Sequence, residues 1–171
     1  VQFGFIFGTL IFAILTIADR FSPSKVFLTC ALLGSLFNIA VMWDGNSLAS
    51  ILSLRFITGF FLAGIYPVGM KIAADYYEKG LGKSLGFLVG ALVVGTAFPH
   101  LAKEMTGTFP WKFVLVLTSS FAVLGGLLML TMVPDGPYRK SGNKLDLSAF
   151  FGVFRNRKFR SAAFGYFGHM W

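Results

Sequence analysis

The stretch FVLVLTSSFAVLGGLLMLTMV, Phe113 to Val133, carries no charged residue. A membrane-spanning helix needs ~20 apolar residues, and this stretch supplies them. Its apolar residues do not alternate with polar ones, as they would in a barrel strand. Unpaired backbone groups cannot face lipid, so the segment is expected to be a helix. Four more blocks read the same way: Val1 to Ala18, Val26 to Trp43, Leu48 to Met70 and Leu85 to Leu101, and a sixth begins near Ser161.

The rest of the composition agrees. The chain is 56% apolar and 17% aromatic but only 13% charged, against roughly 25% charged residues in an ordinary soluble domain. Turn chemistry separates the blocks, at Ser22-Pro23-Ser24, Asp44-Gly45-Asn46, Lys79-Gly80-Leu81-Gly82, Phe109-Pro110 and Pro134-Asp135-Gly136-Pro137. Short connections make successive helices antiparallel neighbours. An all-α integral membrane bundle is therefore expected over residues 1–134, a cytoplasmic linker over 135–160, and the start of a second bundle over 161–171. Val1 lies inside one apolar run and Trp171 well inside another, so both ends are expected to be cut, and no signal peptide is visible.

Cytoplasmic loops hold positive charge, which sets the orientation. The first connection has Arg20 and Lys25, the third has Lys71, Lys79 and Lys83, and the long linker runs from Arg139 to Arg160 with five more basic residues between. The second connection, Asp44 to Ser47, has none, and the fourth has Lys103 and Lys112. The first, third and fifth connections should face the cytoplasm, placing the chain as a multi-pass protein of the plasma membrane. The net charge of +8 then serves topology and lipid headgroups, and no nucleic-acid partner is expected. Leu145, Leu147, Phe150, Phe151 and Phe154 lead into Arg155, Arg157, Lys158 and Arg160. That segment reads either as an interfacial helix meeting anionic lipid or as a plain solvated linker. The one cysteine, Cys30, permits no intrachain disulfide and reads as a small buried apolar side chain.

Asp19 sits at the cytoplasmic end of a helix, where the macrodipole disfavours it. It needs a partner. Arg20 or Lys25 would supply one locally; the positive N-terminus of another helix would supply one in a single conformation, making a latch. Arg55 lies ~10 Å below Leu48 at ~1.5 Å per residue. A charge at that depth costs ~2.5–3.5 kcal/mol, so it either snorkels, fills a structural hydrogen-bonding role, or faces a solute and its coupling pathway. The spans hold no Asp or Glu, and Arg55 cannot release a proton. A coupling proton would therefore need a carboxylate outside these spans; otherwise the protein is a uniporter or an anion exchanger.

Gly82, Gly86 and Gly90 recur at four-residue spacing ahead of Gly95, and Gly4 and Gly8 repeat the interval. Such rows serve close backbone packing or a hinge. Pro67 interrupts the third block, as a fixed bend or a gate. His100 and His169 have no second ligand at metal spacing, and each reads as a neutral hydrogen-bonded histidine; His169 borders the pathway if its helix does. Asn38, Thr58, Thr96, Thr118, Ser119 and Ser120 are polar candidates of the kind usually satisfied by bonding back to their own helix. No cofactor or metal is expected.

Ala18-Asp19-Arg20 with Lys25, Arg55 four residues before Gly59, the glycine row of the fourth block with Pro99, and the long basic linker together resemble the major facilitator superfamily. The first segment is similar to that family's Gly-x-Leu-Ala-Asp-Arg-x-Gly-Arg-Arg/Lys loop but departs from it at Leu15 and Ser22, where the family has glycine, and at Pro23 and Ser24, where it is basic. The resemblance covers nearly the whole chain. It implies helices two to six of a twelve-helix transporter and the start of helix seven, with a small-molecule substrate carried by alternating access and Asp19 and Arg20 holding one state. The rival from another class, a membrane-embedded enzyme, needs a nucleophile with a base, paired carboxylates or a metal cluster at depth, and these spans hold none. A channel or receptor without alternating access fits the composition but not the position of the Asp-Arg turn or the long linker.

Overall fold

The computed structural model describes residues 1–77, 80–106, 110–134, 136–139 and 155–169. The amphipathic stretch from Leu145 to Phe154, with Lys79, Lys140 and Lys144, lies outside the described residues, as do the side chains of Pro99, His100 and His169. Among the described residues there are eight helices and no strand: α1 (Gln2–Ile14), α2 (Ile17–Arg20), α3 (Pro23–Ala40), α4 (Leu48–Leu62), α5 (Tyr66–Tyr76), α6 (Leu81–Thr106), α7 (Trp111–Met132) and α8 (Arg157–His169). The chain is an all-helical membrane bundle. Pro23–Ala40, Leu48–Tyr76 and Trp111–Met132 are long and apolar enough to cross a bilayer, while Gln2–Ile14 and Leu81–Ala97 are shorter apolar helices.

Local chemistry explains the boundaries. Helix α3 starts with Pro23, whose missing N–H costs nothing in a first turn. The Ser47 hydroxyl caps α4 by accepting from the Ser50 amide at 3.2 Å. Between α1 and α2 the backbone turns through Thr16 at φ 48°, ψ 41°, a left-handed conformation that a β-branched residue adopts only under strain. That break swings Asp19 round on its own short helix. The helix begun by the third apolar block does not stop at Met70 but continues to Tyr76, interrupted at Ala63–Ile65. Pro67 explains the interruption: its ring cannot donate to the Ala63 carbonyl four residues back. The fourth block likewise extends beyond Leu85 and Leu101 in both directions, with Pro99 inside α6.

The helices pack in two close pairs, α1 with α4 and α3 with α7, joined through α3 and α4. Glycine makes the first pair possible. Gly4 and Gly8 are buried in α1, and a Cβ on either would run into the backbone of Phe56 or Phe60 on α4. Gly126 does the same for α7, where a Cβ would press on Leu28 and Ala31 at 3.0 and 3.1 Å. The core gathers Val26, Cys30, Val68 and Ile72, ringed by Phe12, Phe27, Phe61, Ile65 and Met129. Phe37 and Phe61 stack at 5.9 Å, and Phe60 meets Phe61 edge-on at 5.5 Å.

Gly82, Gly86, Gly90 and Gly95 have no described neighbour within 4 Å of where a Cβ would stand. Close approach is carried instead by Gly4 and Gly8, whose side-chain-free face meets α4. Replacing Gly4 with valine is expected to destabilise by ~1–3 kcal/mol, since two backbones must separate to admit it. Gly90→Ala should leave the melting temperature level or slightly raised, because alanine favours helix and meets nothing there. Thermal unfolding of the two purified variants in detergent tells them apart; equal losses would show that α1 and α4 do not depend on that contact.

Candidate functional site

Arg55 projects from the middle of α4 into a chain of polar groups that crosses three helices. Its Nη1 donates to Asn38 Oδ1 on α3 at 2.9 Å. Asn38 Nδ2 donates in turn to Ser119 Oγ on α7 at 3.0 Å, with the Leu115 carbonyl and Thr118 Oγ1 at 3.4 Å. Ser119, which is buried, is fixed by Ser35: Ser35 Oγ donates to the Ser119 carbonyl at 3.2 Å, and Ser119 Oγ lies 3.5 Å from the Ser35 carbonyl. A cavity of about 200 Å³ opens beside this chain, walled by Ser35, Asn38, Thr58, Thr118 and Ser119 together with apolar residues such as Leu62 and Ile65.

The electrostatics of the site follow from what faces the guanidinium. It carries five N–H donors and a permanent positive charge. Among the described residues no carboxylate lies within ion-pair distance of Arg55; the ion pairs there are Lys71 with Asp19 and Asp75, and Lys112 with Asp44. A half-buried charge is thus held by a neutral amide. Hydrogen bonding to Asn38 positions it without cancelling it.

A second cluster closes the end of the bundle where α2 meets α5. Lys71 Nζ on α5 lies 3.1 Å from Asp19 Oδ1 on α2 and 3.0 Å from Asp75 Oδ1 one turn further along its own helix. Asp75 is buried, and its Oδ2 has no hydrogen-bond partner among the described residues. The chain that follows α7 is strapped over the same end. The Tyr138 amide donates to the Asp75 carbonyl at 3.0 Å, the Tyr76 hydroxyl donates to the Pro134 carbonyl, Ser24 Oγ to the Val133 carbonyl at 2.9 Å, and Arg139 Nη2 to the Phe21 carbonyl at 2.8 Å. A Cβ on Gly136 would strike the Asp75 backbone. Asp19 therefore has the partner its position demands, but that partner is neither Arg20 nor Lys25.

The remaining expected residues fall as follows. Arg20 ends α2, exposed, and Lys25 is exposed in the first turn of α3, at the rim of an apolar recess with Phe12, Phe21 and Phe61. Gly59 is buried on α4 against Val1. Pro67 lines a recess that also takes in Asp19 and Lys71. His169 is the last residue of α8. Thr58, Thr96 and Thr118 do bond back to their own helices. Asn38 and Ser119 instead bond between helices.

At the opposite end Lys112 pairs with Asp44 and lies 5.6 Å from the Trp111 ring. The Asp44 side chain is 87% exposed, so water screens the pair and it contributes under ~1 kcal/mol. Asp44→Asn should shift the melting temperature by no more than experimental scatter; a clear drop would mean that the pair is shielded.

Helices that turn apolar faces outward and meet through polar side chains define a polytopic integral membrane protein, and a charge kept inside such a bundle marks a functional site. The sequence profile of the Major Facilitator Superfamily matches residues 1–171, and the chain belongs to that superfamily. It is 28% identical to the niacin transporter NiaP of Acinetobacter baylyi over 140 residues, 76% of this chain and 30% of that protein. It is 28% identical to the efflux pump FUB11 of Gibberella fujikuroi over 139 residues, 79% of this chain and 24% of that one. With the 4-hydroxybenzoate transporter PcaK of Pseudomonas aeruginosa it shares 28% identity over 160 residues, 90% of this chain and 32% of the relative. The chain spans about a quarter to a third of the length of these relatives. No solved structure matches it.

Proposed function

We propose that this chain forms part of a carrier, not an enzyme, that moves a small organic anion across the plasma membrane by alternating access, with an aromatic monocarboxylate as the substrate class. The observation that carries the reading is the Arg55 guanidinium, held at depth by Asn38 with no carboxylate beside it among the described residues. A half-buried positive charge inside an apolar bundle calls for a counter-charge, and a solute carboxylate supplies one while it is bound. Two relatives, a niacin transporter and a 4-hydroxybenzoate transporter, are named for small aromatic acids.

The Asp19–Lys71–Asp75 cluster acts as the cytoplasmic latch. It joins the turn after α1 to the end of α5, and its Lys71–Asp19 ion pair breaks when those elements separate, while Lys71 keeps Asp75 one turn along its own helix. No step makes or breaks a covalent bond, and neither metal nor cofactor takes part.

The test is uptake by the full-length transporter in proteoliposomes, comparing niacin and 4-hydroxybenzoate with their uncharged amides, with and without a pH gradient. Faster carboxylate than amide flux supports the anion reading. Acceleration by an inward proton gradient marks symport and by an outward one antiport, whereas indifference marks a uniporter or exchanger. Flux that ignores the charge of the solute would remove Arg55 from the site.

A further inference from the structure

Because Arg55 can only donate, the Asn38 side chain has one workable orientation: Oδ1 toward the guanidinium and Nδ2 toward α7. Helix α7 is built to receive it. Ser119 Oγ accepts at 3.0 Å, and Ser119 is locked by its two hydrogen bonds with Ser35. The amide thus cannot turn without losing partners on both sides. It fixes one guanidinium nitrogen and adds no charge.

The cavity beside it is neutral as well. Its polar wall consists of hydroxyls and the Asn38 amide, and at about 200 Å³ it has room for roughly seven waters at ~30 Å³ each, or one small ring. A carboxylate in the place of Asn38 would sit 2.9 Å from Arg55 and satisfy its charge permanently. An asparagine of nearly the same size leaves that charge to be satisfied by something that comes and goes.

We infer that Asn38 sets the charge preference of the solute site by orienting Arg55 without neutralising it. Asn38 is a positioning residue that acts through the guanidinium, and this role rests on the reading that Arg55 meets the solute. Selection for anions then depends on what stands at position 38 as much as on the arginine.

The experiment measures KM and maximal flux for 4-hydroxybenzoate and 4-hydroxybenzamide in proteoliposomes, for the full-length wild type and the Asn38→Asp, Asn38→Ala and Arg55→Ala variants. Asn38→Asp is expected to raise KM for the carboxylate by about 30-fold or more while KM for the amide stays within about 3-fold, because only the anion meets the added charge. Asn38→Ala removes the tether but not the charge. It should raise KM for the carboxylate by a smaller factor and keep the preference for the anion. That variant also decides the matter if Asn38→Asp does not fold. An Asn38→Asp protein with the wild-type carboxylate-to-amide ratio would overturn the inference, as would an Asn38→Ala protein with unchanged KM for the carboxylate. Carboxylate uptake indifferent to Arg55→Ala would sink the underlying reading and this inference together. Uptake that needs Arg55 but ignores position 38 would sink the inference alone.

Discussion

Replacing Arg55 with alanine is expected to cut carboxylate uptake at least ~100-fold while leaving the folded yield close to wild type. The two halves of that expectation have separate causes. Loss of the guanidinium removes the counter-charge that draws an anion out of water, and a desolvated charge pair is worth several kcal/mol when one partner is deleted. Folding suffers little because, among the described residues, Arg55 makes one side-chain hydrogen bond, to Asn38. The freed Asn38 carbonyl oxygen stands beside a cavity that admits water, so it is not left stranded. Removing a half-buried charge also lightens the cost of insertion. Arg55→Lys should recover only part of the flux, since an ammonium keeps the charge but loses the fork that grips a carboxylate with two parallel bonds. Flux assays beside thermal unfolding separate the effects; equal loss of yield and flux would make Arg55 a structural residue.

The second large effect is expected at Lys71. Lys71→Met leaves Asp19 and Asp75 facing each other without the cation between them, and Asp75, with its side chain 7% exposed, has little access to water. Removing one partner of a buried pair costs ~3–5 kcal/mol. The value here belongs at the lower end, because the Asp19 side chain is 33% exposed and can rehydrate. Adding Asp75→Asn to Lys71→Met should recover much of the loss, since an amide tolerates burial better than a lone carboxylate. Asp19→Asn alone should cost least. Melting temperatures of the single and double variants test the ordering, and a double variant no better than Lys71→Met would mean that the lysine acts through its packed stem.

These two sites differ in how much the sequence discloses. Arg55 is legible because a lone charge inside an apolar block must be compensated, and that argument needs no coordinates. The Asp19 end is legible as a carboxylate in need of a partner, but the partner's identity depends on which helix comes back to that end. Lys71 reads from sequence as a loop cation because the apolar block ends at Met70. Only the continuation of the helix to Tyr76, with Lys71 and Asp75 one turn apart on it, turns that cation into a bridge. Asn38 and Ser119 are hidden for the opposite reason. A lone Asn or Ser in an apolar helix normally satisfies itself locally, and pairing across α3 and α7 requires those helices to approach closely, as they do where Gly126 meets Leu28 and Ala31. The glycine rows show the same limit. Spacing marks a face that can pack closely, yet α1 and α6 share the spacing and only α1 has a neighbour placed on it among the described residues.

The over-long third helical segment has a consequence for the lipid around it. Leu48–Tyr76 is 29 residues long, or ~44 Å at ~1.5 Å per residue, against a hydrocarbon core of ~30 Å. Its break at Ala63–Ile65 divides the rod into an arm bearing Arg55 and an arm bearing Lys71, and a helix longer than the hydrocarbon is accommodated by tilting, kinking or local thickening of the bilayer. Acyl-chain length thereby acts on both ends at once. A thicker bilayer is expected to draw Lys71 and Asp75 toward the hydrocarbon and strengthen the ion pairs of Lys71 with Asp19 and Asp75, and a thinner one to let water in among them. Membrane thickness is thus built into this helix as a second variable beside the solute.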